Sequence, residues 1–396
     1  MWKNMGNKPS NKIIFLRSLL AEKRFPDTIE QVVDSRNSLP LYEKTSAKPL
    51  FIDNKSFVLQ DVPGYINLIL DQHQKKFLIH TITTQRTYVI ELNRYSDANQ
   101  YMEQHFGSKS RSSLRRYKKR LEECFDIRYE VYQGNIDKKW YNEIFEHLRT
   151  LMIRRFKKKK EENYELQHLD EIKADLYPML LQNRATLYVI YANGEPVSIR
   201  INMMKDKLAF YILSAYNPDY DIFRLGKLDM SQNISWFINQ GYTTYDLLKG
   251  YAYIKEKWAD RTYANNLVFV NEASNLWNQL KFFFTLASVR FRHTMIKKLK
   301  YIGLDKIIHR IKRRKVNHLD KANYVVLPFK ETEAIKTIHK NALINLEENK
   351  SLIAPIIELA YKHRSCFDQI QVFLKNGNSK EYYILIEDRY YLLKVS

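Results

Sequence analysis

The sequence is poor in cysteine. Only Cys124 and Cys366 occur among 396 residues, and they lie far apart in no spacing typical of metal ligands. Neither a disulfide framework nor a zinc site is therefore expected, and no metal cofactor is predicted. So few cysteines fit a protein of a reducing compartment.

Long apolar stretches are also lacking. The apolar part of the N-terminus, residues 13–20, is interrupted by Arg17 and is too short for a spanning helix or a convincing signal peptide. We therefore expect a cytoplasmic protein. The sequence also contains no serine-centred nucleophile elbow, no Walker loop and no Rossmann glycine pattern, which argues against hydrolases, nucleotide kinases and dehydrogenases.

Positive charge, in contrast, is in excess. Lysine and arginine number 65 against 44 acidic residues, giving a formal net charge of +21, while an apolar content of 45% is ample for a core. This excess favours partners that carry phosphate, carboxylate or anionic lipid, although a charged surface is often merely solvated.

The strongest concentration of positive charge begins at Arg290 and ends at Lys315. It holds eleven lysines and arginines against one acid, Asp305, and Phe291 and Met295 mark an apolar side. A basic amphipathic helix of this kind can make peripheral contact with the inner face of an anionic membrane. Packing of the apolar side onto the domain is the commoner outcome, and nucleic acid is a less favoured partner.

The rest of the chain is organised around residues 241–261. Side chains at 243–248 alternate with the period of two typical of a strand, bounded by Gly241 and Gly250. This pattern predicts a strand that brings polar groups to one edge of a sheet. These groups are Asp246, Lys249, Tyr253 and Lys255.

A second unit precedes this strand, over residues 217–240. A turn at Asn217-Pro218-Asp219 leads to Arg224-Leu225-Gly226-Lys227 and then to apolar residues at helical spacing. Backbone amides at a helix start near a glycine form a natural anion site. An ordinary helix start after a turn is an equally good interpretation.

In this order the two units resemble the acyltransferases of the GNAT superfamily, in particular its CelD-like and FemAB-like branch. The resemblance covers about half of the chain, and the order and spacing of the motifs make it more specific than any one of them. The motifs are Phe106-Gly107-Ser108-Lys109-Ser110-Arg111-Ser112-Ser113-Leu114-Arg115-Arg116, Asn193-Gly194-Glu195-Pro196-Val197, Arg224-Leu225-Gly226-Lys227, Tyr245-Asp246-Leu247-Leu248-Lys249-Gly250 and Tyr253-Ile254-Lys255-Glu256-Lys257-Trp258.

The resemblance implies an α/β fold with a mixed sheet, built as two GNAT-like halves and a C-terminal unit. A degenerate N-terminal half would occupy residues 1–100 and the acyltransferase half residues 101–289. The basic helical segment would follow over 290–315, and a small α/β unit over 316–396. Within the first half, the apolar spacing predicts a helix over residues 64–72 between strands.

The resemblance also implies a donor. Arg224, Gly226 and Lys227 stand where the superfamily's pyrophosphate loop is expected, which makes acyl-CoA the expected co-substrate. The fuller superfamily pattern is not met, because Phe223 and Leu228 occupy its first and last positions.

Three residues are candidates for the chemistry. Lys255 matches the lysine of the aromatic-lysine motif of FemAB-like enzymes, which implies contact with substrate phosphate or the reacting carbonyl. Asp246 is a candidate general base or a group that orients the nucleophile, since a carboxylate at the mouth of a partly buried cleft can have a raised pKa. An aspartate at a strand end is at least as often structural and bonds nearby backbone amides. Tyr253 could act through its phenol. We expect alanine at Lys255 or Asp246 to abolish transfer with little change in melting temperature.

Four further residues are candidates for holding the acceptor. Tyr211 offers a phenol, Arg111 and Arg115 could clamp an anionic group, and Trp258 could stack on a sugar or simply fill the edge of the sheet. The predicted function is transfer of an acyl group from acyl-CoA to an amine or hydroxyl, with the CelD-like resemblance implying cell-surface polysaccharide or envelope assembly. Two alternatives remain: transfer from aminoacyl-tRNA, and a non-catalytic GNAT scaffold that binds nucleic acid or anionic lipid.

Overall fold

The computed structural model describes residues 12–44, 50, 56–71, 77–159, 165–250, 252–272, 276–301, 324–329, 343–346, 348–375 and 380–395. Its strands are β1 (Lys12–Ile14), β2 (Ile29–Asp34), β3 (Leu39–Glu43), β4 (Ser56–Pro63), β5 (Ile66–Leu70), β6 (Phe77–Ile90), β7 (Ile127–Tyr132), β8 (Ala185–Ala192), β9 (Glu195–Lys205), β10 (Leu208–Tyr216), β11 (Thr244–Asp246), β12 (Arg261–Glu272), β13 (Tyr324–Phe329), β14 (Gln371–Leu374), β15 (Glu381–Ile386) and β16 (Arg389–Val395).

The α-helices flank these strands on both sides. They are α1 (Phe15–Arg17), α2 (Ala98–His105), α3 (Ser108–Cys124), α4 (Lys138–Lys159), α5 (Leu169–Leu181), α6 (Leu225–Asn239), α7 (Ala252–Trp258), α8 (Leu276–Tyr301) and α9 (Ile353–His363). The predicted mixed α/β class is thereby confirmed. No helix in the described ranges has the length and apolar composition that a membrane crossing requires.

A nine-stranded sheet carries the fold, in the order β1-β4-β12-β6-β11-β10-β9-β8-β7. Two neighbouring pairs in it are parallel, β1 with β4 and β10 with β11, and the others are antiparallel. A hairpin joins β8 to β9, with Asn193 and Gly194 at φ 50° and 85°. Such angles suit the tight turns that match strand twist, which is why this part was readable from local sequence.

Both faces of β8 are buried, because helices cover the sheet on either side. On one face the side chains of α4 and α5 form the main apolar core with β8, β9 and β10. On the other face α6 packs on β9 and β10. A strand covered on both sides is expected to read as a continuous apolar run, as Ala185–Ala192 does.

The N-terminal strands share this sheet with the rest of the chain. Strand β12 lies between β4 and β6, and β6 also pairs with β11. We propose that the boundary expected near residue 100 does not divide two separate sheets. It divides one sheet into two parts. The helix predicted over residues 64–72 was wrong, because Ile66–Leu70 forms a strand that pairs with β2, a long-range partner that its own sequence does not reveal.

The C-terminal region has its own antiparallel sheet, β13-β16-β15-β14, and helix α9. It packs against α3 and the segment before α6 through aromatic contacts. The ring centroids of Phe125 and Phe367 lie 5.2 Å apart, and those of Phe223 and Tyr361 lie 5.3 Å apart. Of the basic segment expected over 290–315, residues 290–301 belong to α8, and the remainder lies outside the described residues.

Candidate functional site

The site is built where two parallel strands part. Strand β10 pairs with β11 only over Leu208–Phe210, because β11 ends at Asp246 while β10 continues to Tyr216. Leu248, just after β11, takes the left-handed conformation with φ 59°, which ends the strand. Within the described part of the chain, β10 therefore has no strand beside this edge from Tyr211 onward.

Lys255 of α7 lies at the start of this opening. Its ammonium donates hydrogen bonds to the backbone carbonyls of Leu247, Leu248 (3.3 Å) and Lys249 (2.8 Å). It also lies 5.1 Å from the centre of the Tyr211 ring. Burial lowers the pKa of Lys255 to about 8, although the nearby Asp246 carboxylate opposes that shift.

The approach of Lys255 to this loop depends on Gly250. A Cβ added there would lie 3.0 Å from the lysine Nζ, and the backbone has φ +145°, which other L-residues rarely adopt. The glycine that the sequence analysis took as the end of the strand thus also makes room for the ammonium. The side chain of Tyr253, on the same helix, lies outside the described part of the structure.

Asp246 is held more deeply than the sequence suggested. Its side chain accepts hydrogen bonds from Tyr65 (2.7 Å), from Thr87 (2.6 Å) and from the backbone amide of Leu248 (2.7 Å). Burial raises its pKa, and these hydrogen bonds oppose the rise. With 1% exposure it does not stand at the mouth of a cleft, which corrects that expectation. In this arrangement it organises the turn beneath Lys255.

Lys249 forms the other link between this loop and the N-terminal strands. Its Nζ lies 2.6 Å from both carboxylate oxygens of Asp61, which is buried on β4 and takes a positive φ of 65°. The sequence analysis missed Asp61, Tyr65 and Thr87. They lie more than 150 residues away along the chain, and no local spacing connects them with the loop.

The opposite side of β11 faces a second polar cluster around Arg200. Its guanidinium donates to Asp229 at 2.8 and 2.5 Å and to the Tyr245 hydroxyl at 3.2 Å, and it lies 4.6 Å from the centre of the Tyr211 ring. Burial lowers the pKa of Arg200, but the Asp229 carboxylate outweighs it, so the net shift is upward. Arg200 was not predicted, since a lone arginine within an apolar strand has no recognisable motif.

The cluster continues through two amide side chains. Tyr245 donates to Asn202 (2.7 Å), which in turn donates to Asn233 (2.9 Å) and Thr186 (3.1 Å). Asn233 donates back to the carbonyl of Asp229 at 2.9 Å. Asp229 and Asn233 lie one helical turn apart on α6. The closed ring of hydrogen bonds therefore holds α6 on the sheet at two points.

The start of α6 lies at the far end of the β10 edge. Gly226 packs on Tyr216, so that an added Cβ would lie 3.3 Å from the ring carbon Cε1. Arg224 and Lys227 are exposed on either side of it. The N-cap residue is Arg224, in the left-handed conformation, and its side chain makes no capping hydrogen bond. Amides of the first helical turn therefore have no side-chain cap from this residue.

One stretch of β10 connects the two predicted parts. The Tyr211 hydroxyl lies 2.9 Å from that of Ser214, and Tyr216 follows two residues later on the same face. Lys255 contacts the first of these residues and Gly226 the last, about 17 Å apart along the strand at the usual rise per residue. The structure thus brings Lys255 and Gly226 to one side of the same strand.

A cation also lies against this edge. Arg155 of α4 donates to the carbonyl of Ser214 at 2.9 Å and lies 4.6 Å from the centre of the Tyr216 ring. Beside it, Arg154 pairs with Asp219 and Lys158 with Asp221, at 2.6 and 2.7 Å. The basic end of α4 is thus partly neutralised by the segment that precedes α6.

The remaining predicted residues lie outside this opening. Arg111 donates to the carbonyl of Phe106 at 2.9 Å, and Arg115 is exposed on α3. Trp258 is 3% exposed and packs edge-on against Phe106, with ring centroids 4.7 Å apart. Its ring is therefore part of the core, which corrects the suggested stacking on a sugar and agrees with the alternative that it fills the edge of the sheet.

Comparison with known proteins identifies one domain. Residues 108–256 match the family model described as the acetyltransferase (GNAT) domain. Among curated protein sequences, none matches this chain. The matched region includes β8 to β11, α6 and most of α7, and so contains both ends of the opening described above.

Solved structures of similar proteins cover about half of the chain. The crystal structure of FemX shows 12% identity and a TM-score of 0.37, covering 50% of this chain and 64% of that one. L-PGS from Bacillus licheniformis shows 15% identity and 0.32, covering 50% and 63%. The C-terminal domain of a putative lysylphosphatidylglycerol synthetase from Agrobacterium fabrum shows 12% and 0.33, covering 48% and 61%. The chain thus spans less than two thirds of each of these proteins.

Proposed function

Since this chain contains a GNAT acyltransferase domain over residues 108–256, we propose that it transfers an acyl group from acyl-CoA to an amine or hydroxyl at the opening between β10 and β11. The observation that carries the proposal is the edge of β10 from Tyr211 onward, beside which the described residues place no strand, with Lys255 at one end and the start of α6 at the other. Transfer from a thioester needs mainly positioning and removal of one proton.

The edge of β10 suits the extended arm of a thioester donor. The pantetheine arm of CoA carries amide groups, and an extended chain with amides can add to an open strand edge by backbone hydrogen bonds. Its phosphates would then lie near Arg224, Gly226 and Lys227, where helix amides and two exposed cations favour anions. The thioester would lie toward Tyr211 and Lys255.

The roles of the reacting residues follow from their contacts. The Lys255 ammonium is engaged by three carbonyls, so it acts by its positive potential on developing oxyanion charge and by holding the loop. The half-buried Tyr211 has its ring centre 5.1 Å from this ammonium and its hydroxyl 2.9 Å from that of Ser214, and it would hold the acceptor. Asp246 positions both through the turn at Leu248. We also propose that the acceptor belongs to envelope-polysaccharide assembly and that the transfer takes place in the cytoplasm. The CelD-like resemblance alone supports this acceptor.

A pair of glycine variants tests the donor site. Gly226→Ala adds a Cβ tight against Tyr216 at the proposed phosphate site, whereas a Cβ at Gly107, at the start of the more basic helix α3, would meet no atom within 4 Å. We expect CoA titrated by calorimetry to bind Gly107→Ala like the original protein and Gly226→Ala about tenfold more weakly, which corresponds to about 1.4 kcal/mol. Equal CoA affinity in both variants would exclude the start of α6.

One observation favours aminoacyl-tRNA as the donor instead. Arg155 already occupies the Ser214 carbonyl, an acceptor on the edge that a CoA arm would use. A donor that brings only a short aminoacyl ester into the opening would leave the bond between Arg155 and Ser214 intact. The phosphates of its tRNA would contact the exposed lysines and arginines of the protein. The discriminating measurement is transfer of label from acetyl-CoA compared with charged tRNA, with mass spectrometry of co-purified ligands to identify the acceptor.

A further inference from the structure

Helix α8 carries two apolar stripes on opposite sides. Phe282, Leu286 and Val289 pack on the sheet against residues of β4, β6 and β12, including Ile82 and Phe269. A rotation of about 100° per residue places these three within one narrow side of the helix. This side is the one that attaches α8 to the domain.

No described residue covers the second stripe. It lies about 180° around the helix from the first at the same rotation per residue. The stripe is formed by Trp277 (75% exposed), Leu280, Phe284 (74%), Phe291 (69%) and Met295. Scattered apolar residues on a surface need no explanation, but several exposed apolar side chains on one side of a helix, three of them aromatic, mark an interaction site.

Positive charge borders this stripe on both sides. Arg290 and Arg292 are exposed and lie about 100° to either side of the row, and Lys298 is exposed near its end. The helix contains six lysines and arginines and no acidic residue. Long basic side chains beside aromatic rings can reach anionic head groups while the rings enter the interface below them.

We propose that α8 docks the protein on an anionic lipid surface, with the stripe from Trp277 to Met295 inserted among the acyl chains near the head groups. Charge complementarity selects this occupant. A second copy of α8 would place two helices without acids side by side, so that like charges would face each other. Nucleic acid would satisfy the cations but would leave the aromatic row against charged phosphates.

Vesicle flotation tests this docking. Vesicles of phosphatidylcholine with about a quarter phosphatidylglycerol should bind the full chain, and vesicles of phosphatidylcholine alone should bind it much more weakly. The variant Phe284→Ser with Phe291→Ser should partition onto vesicles at least about tenfold more weakly, because it lacks two rings that would be buried in the membrane interface. The variant Arg290→Gln with Arg292→Gln should lose about 30-fold, at about 1 kcal/mol per basic residue near the surface.

Ile153→Ser is the matched control. Ile153 is 48% exposed on α4, beside Arg154 and Arg155, so this variant removes an exposed apolar side chain from another basic helix. It should float like the original protein. Circular dichroism should show all the variants folded, since each altered side chain is exposed.

Several outcomes would overturn the proposal. Flotation of the Phe284→Ser and Phe291→Ser variant at the level of the Ile153→Ser control would remove the stripe from the interaction. A dimer in light scattering without vesicles, lost in that variant, would assign the stripe to a second copy. Tight RNA binding that needs the arginines but not the rings, with no flotation, would assign α8 to nucleic acid. Flotation does not depend on acyl transfer and stands or falls separately from it.

Discussion

Tyr245 and Asp246 are neighbours in the chain and belong to two polar clusters of different character. Strand alternation sends them to opposite faces of the sheet. Tyr245 joins Arg200, Asp229 and Asn202 beneath α6. Asp246 joins Tyr65, from the turn between β4 and β5, and Thr87, from β6.

The two clusters differ in what they hold together. The Arg200 cluster, defined by Thr186, Arg200, Asn202, Asp229, Asn233 and Tyr245, lies within the matched GNAT domain and fixes one helix on its sheet. The Asp246 cluster, defined by Tyr65, Thr87, Asp246 and the Leu248 amide, joins the N-terminal strands to the loop that carries Lys249. The first supports the domain, and the second positions the proposed site.

Breaking the Arg200 cluster should have the largest effect on stability. Arg200→Met leaves the Asp229 carboxylate buried at 1% exposure without its cation. We expect the free energy of unfolding to fall by about 3–5 kcal/mol, measured by urea denaturation.

A second substitution separates the lost pair from the stranded charge. Arg200→Met combined with Asp229→Leu removes both charges and should recover part of the loss, because no carboxylate remains buried alone. If the double variant is as unstable as the sum of the two single ones, the pair is not coupled.

Breaking the Asp246 cluster should cost less in stability and more in activity. Asp246→Ala leaves the Tyr65 hydroxyl, the Thr87 hydroxyl and the Leu248 amide without their acceptor, at about 2–4 kcal/mol in total. Transfer should be lost as the loop shifts. Asp246→Asn, which keeps the size and one oxygen acceptor, should retain more stability than alanine; equal losses would show that hydrogen bonding is not what the residue supplies.

Local patterns predicted the elements that surround the site. Neighbouring residues determine the turn at Asn193 and Gly194 and the helical spacing of α6, and the structure contains both. Strand β11 proved shorter than expected, because Leu248 and Gly250 take positive φ and Lys255 lies on a helix. A period of two cannot show where a left-handed residue stops a strand.

The burial of the site residues could not be predicted from local sequence. Asp246 and Lys255 were expected to be removable at little cost in stability, as exposed groups would be. The three carbonyls reach Lys255 through the loop at Leu248 and Gly250, whose positive φ angles a period of two does not predict. Only the assembled sheet brings Tyr65 and Thr87 to Asp246. The same holds for Arg200. Its acidic partner, Asp229, lies on α6, just beyond the motif that ends at Lys227.

Lys255→Met tests the residue at the edge of the opening. The substitution keeps an unbranched side chain but leaves three carbonyls without their donor, so the free energy of unfolding should fall by about 1–2 kcal/mol and transfer should be lost. A variant with full transfer activity would remove Lys255 from the reaction.

The pH dependence of this variant has a defined sign. Burial lowers the pKa of Lys255 in the folded protein from its ordinary value of 10.5 to about 8. Between these values the unfolded chain holds more protons, so the contribution of Lys255 to stability rises with pH from about 8 upward and levels off above 10.5. The stability difference between the original protein and Lys255→Met should therefore widen over this range, measured by urea denaturation; a constant difference would contradict the lowered pKa.

The four sites are Arg200, Asp246, Lys255 and the ion pair between Asp61 and Lys249. Breaking the ion pair should have the smallest effect. Asp61 is 4% exposed but its partner's side chain is 21% exposed, so water already screens part of the attraction. Asn tolerates the positive φ at this position, and Asp61→Asn should therefore remove the charge without backbone strain. A double-mutant cycle with Lys249→Met should give a coupling of about 1–2 kcal/mol, above the value of about 0–1 kcal/mol typical of exposed pairs. The exposed pair of Lys118 and Glu122, whose side chains are both 41% exposed, provides that reference within the same chain. Equal coupling for both pairs would mean that the contact between Asp61 and Lys249 does not hold the loop to the N-terminal strands.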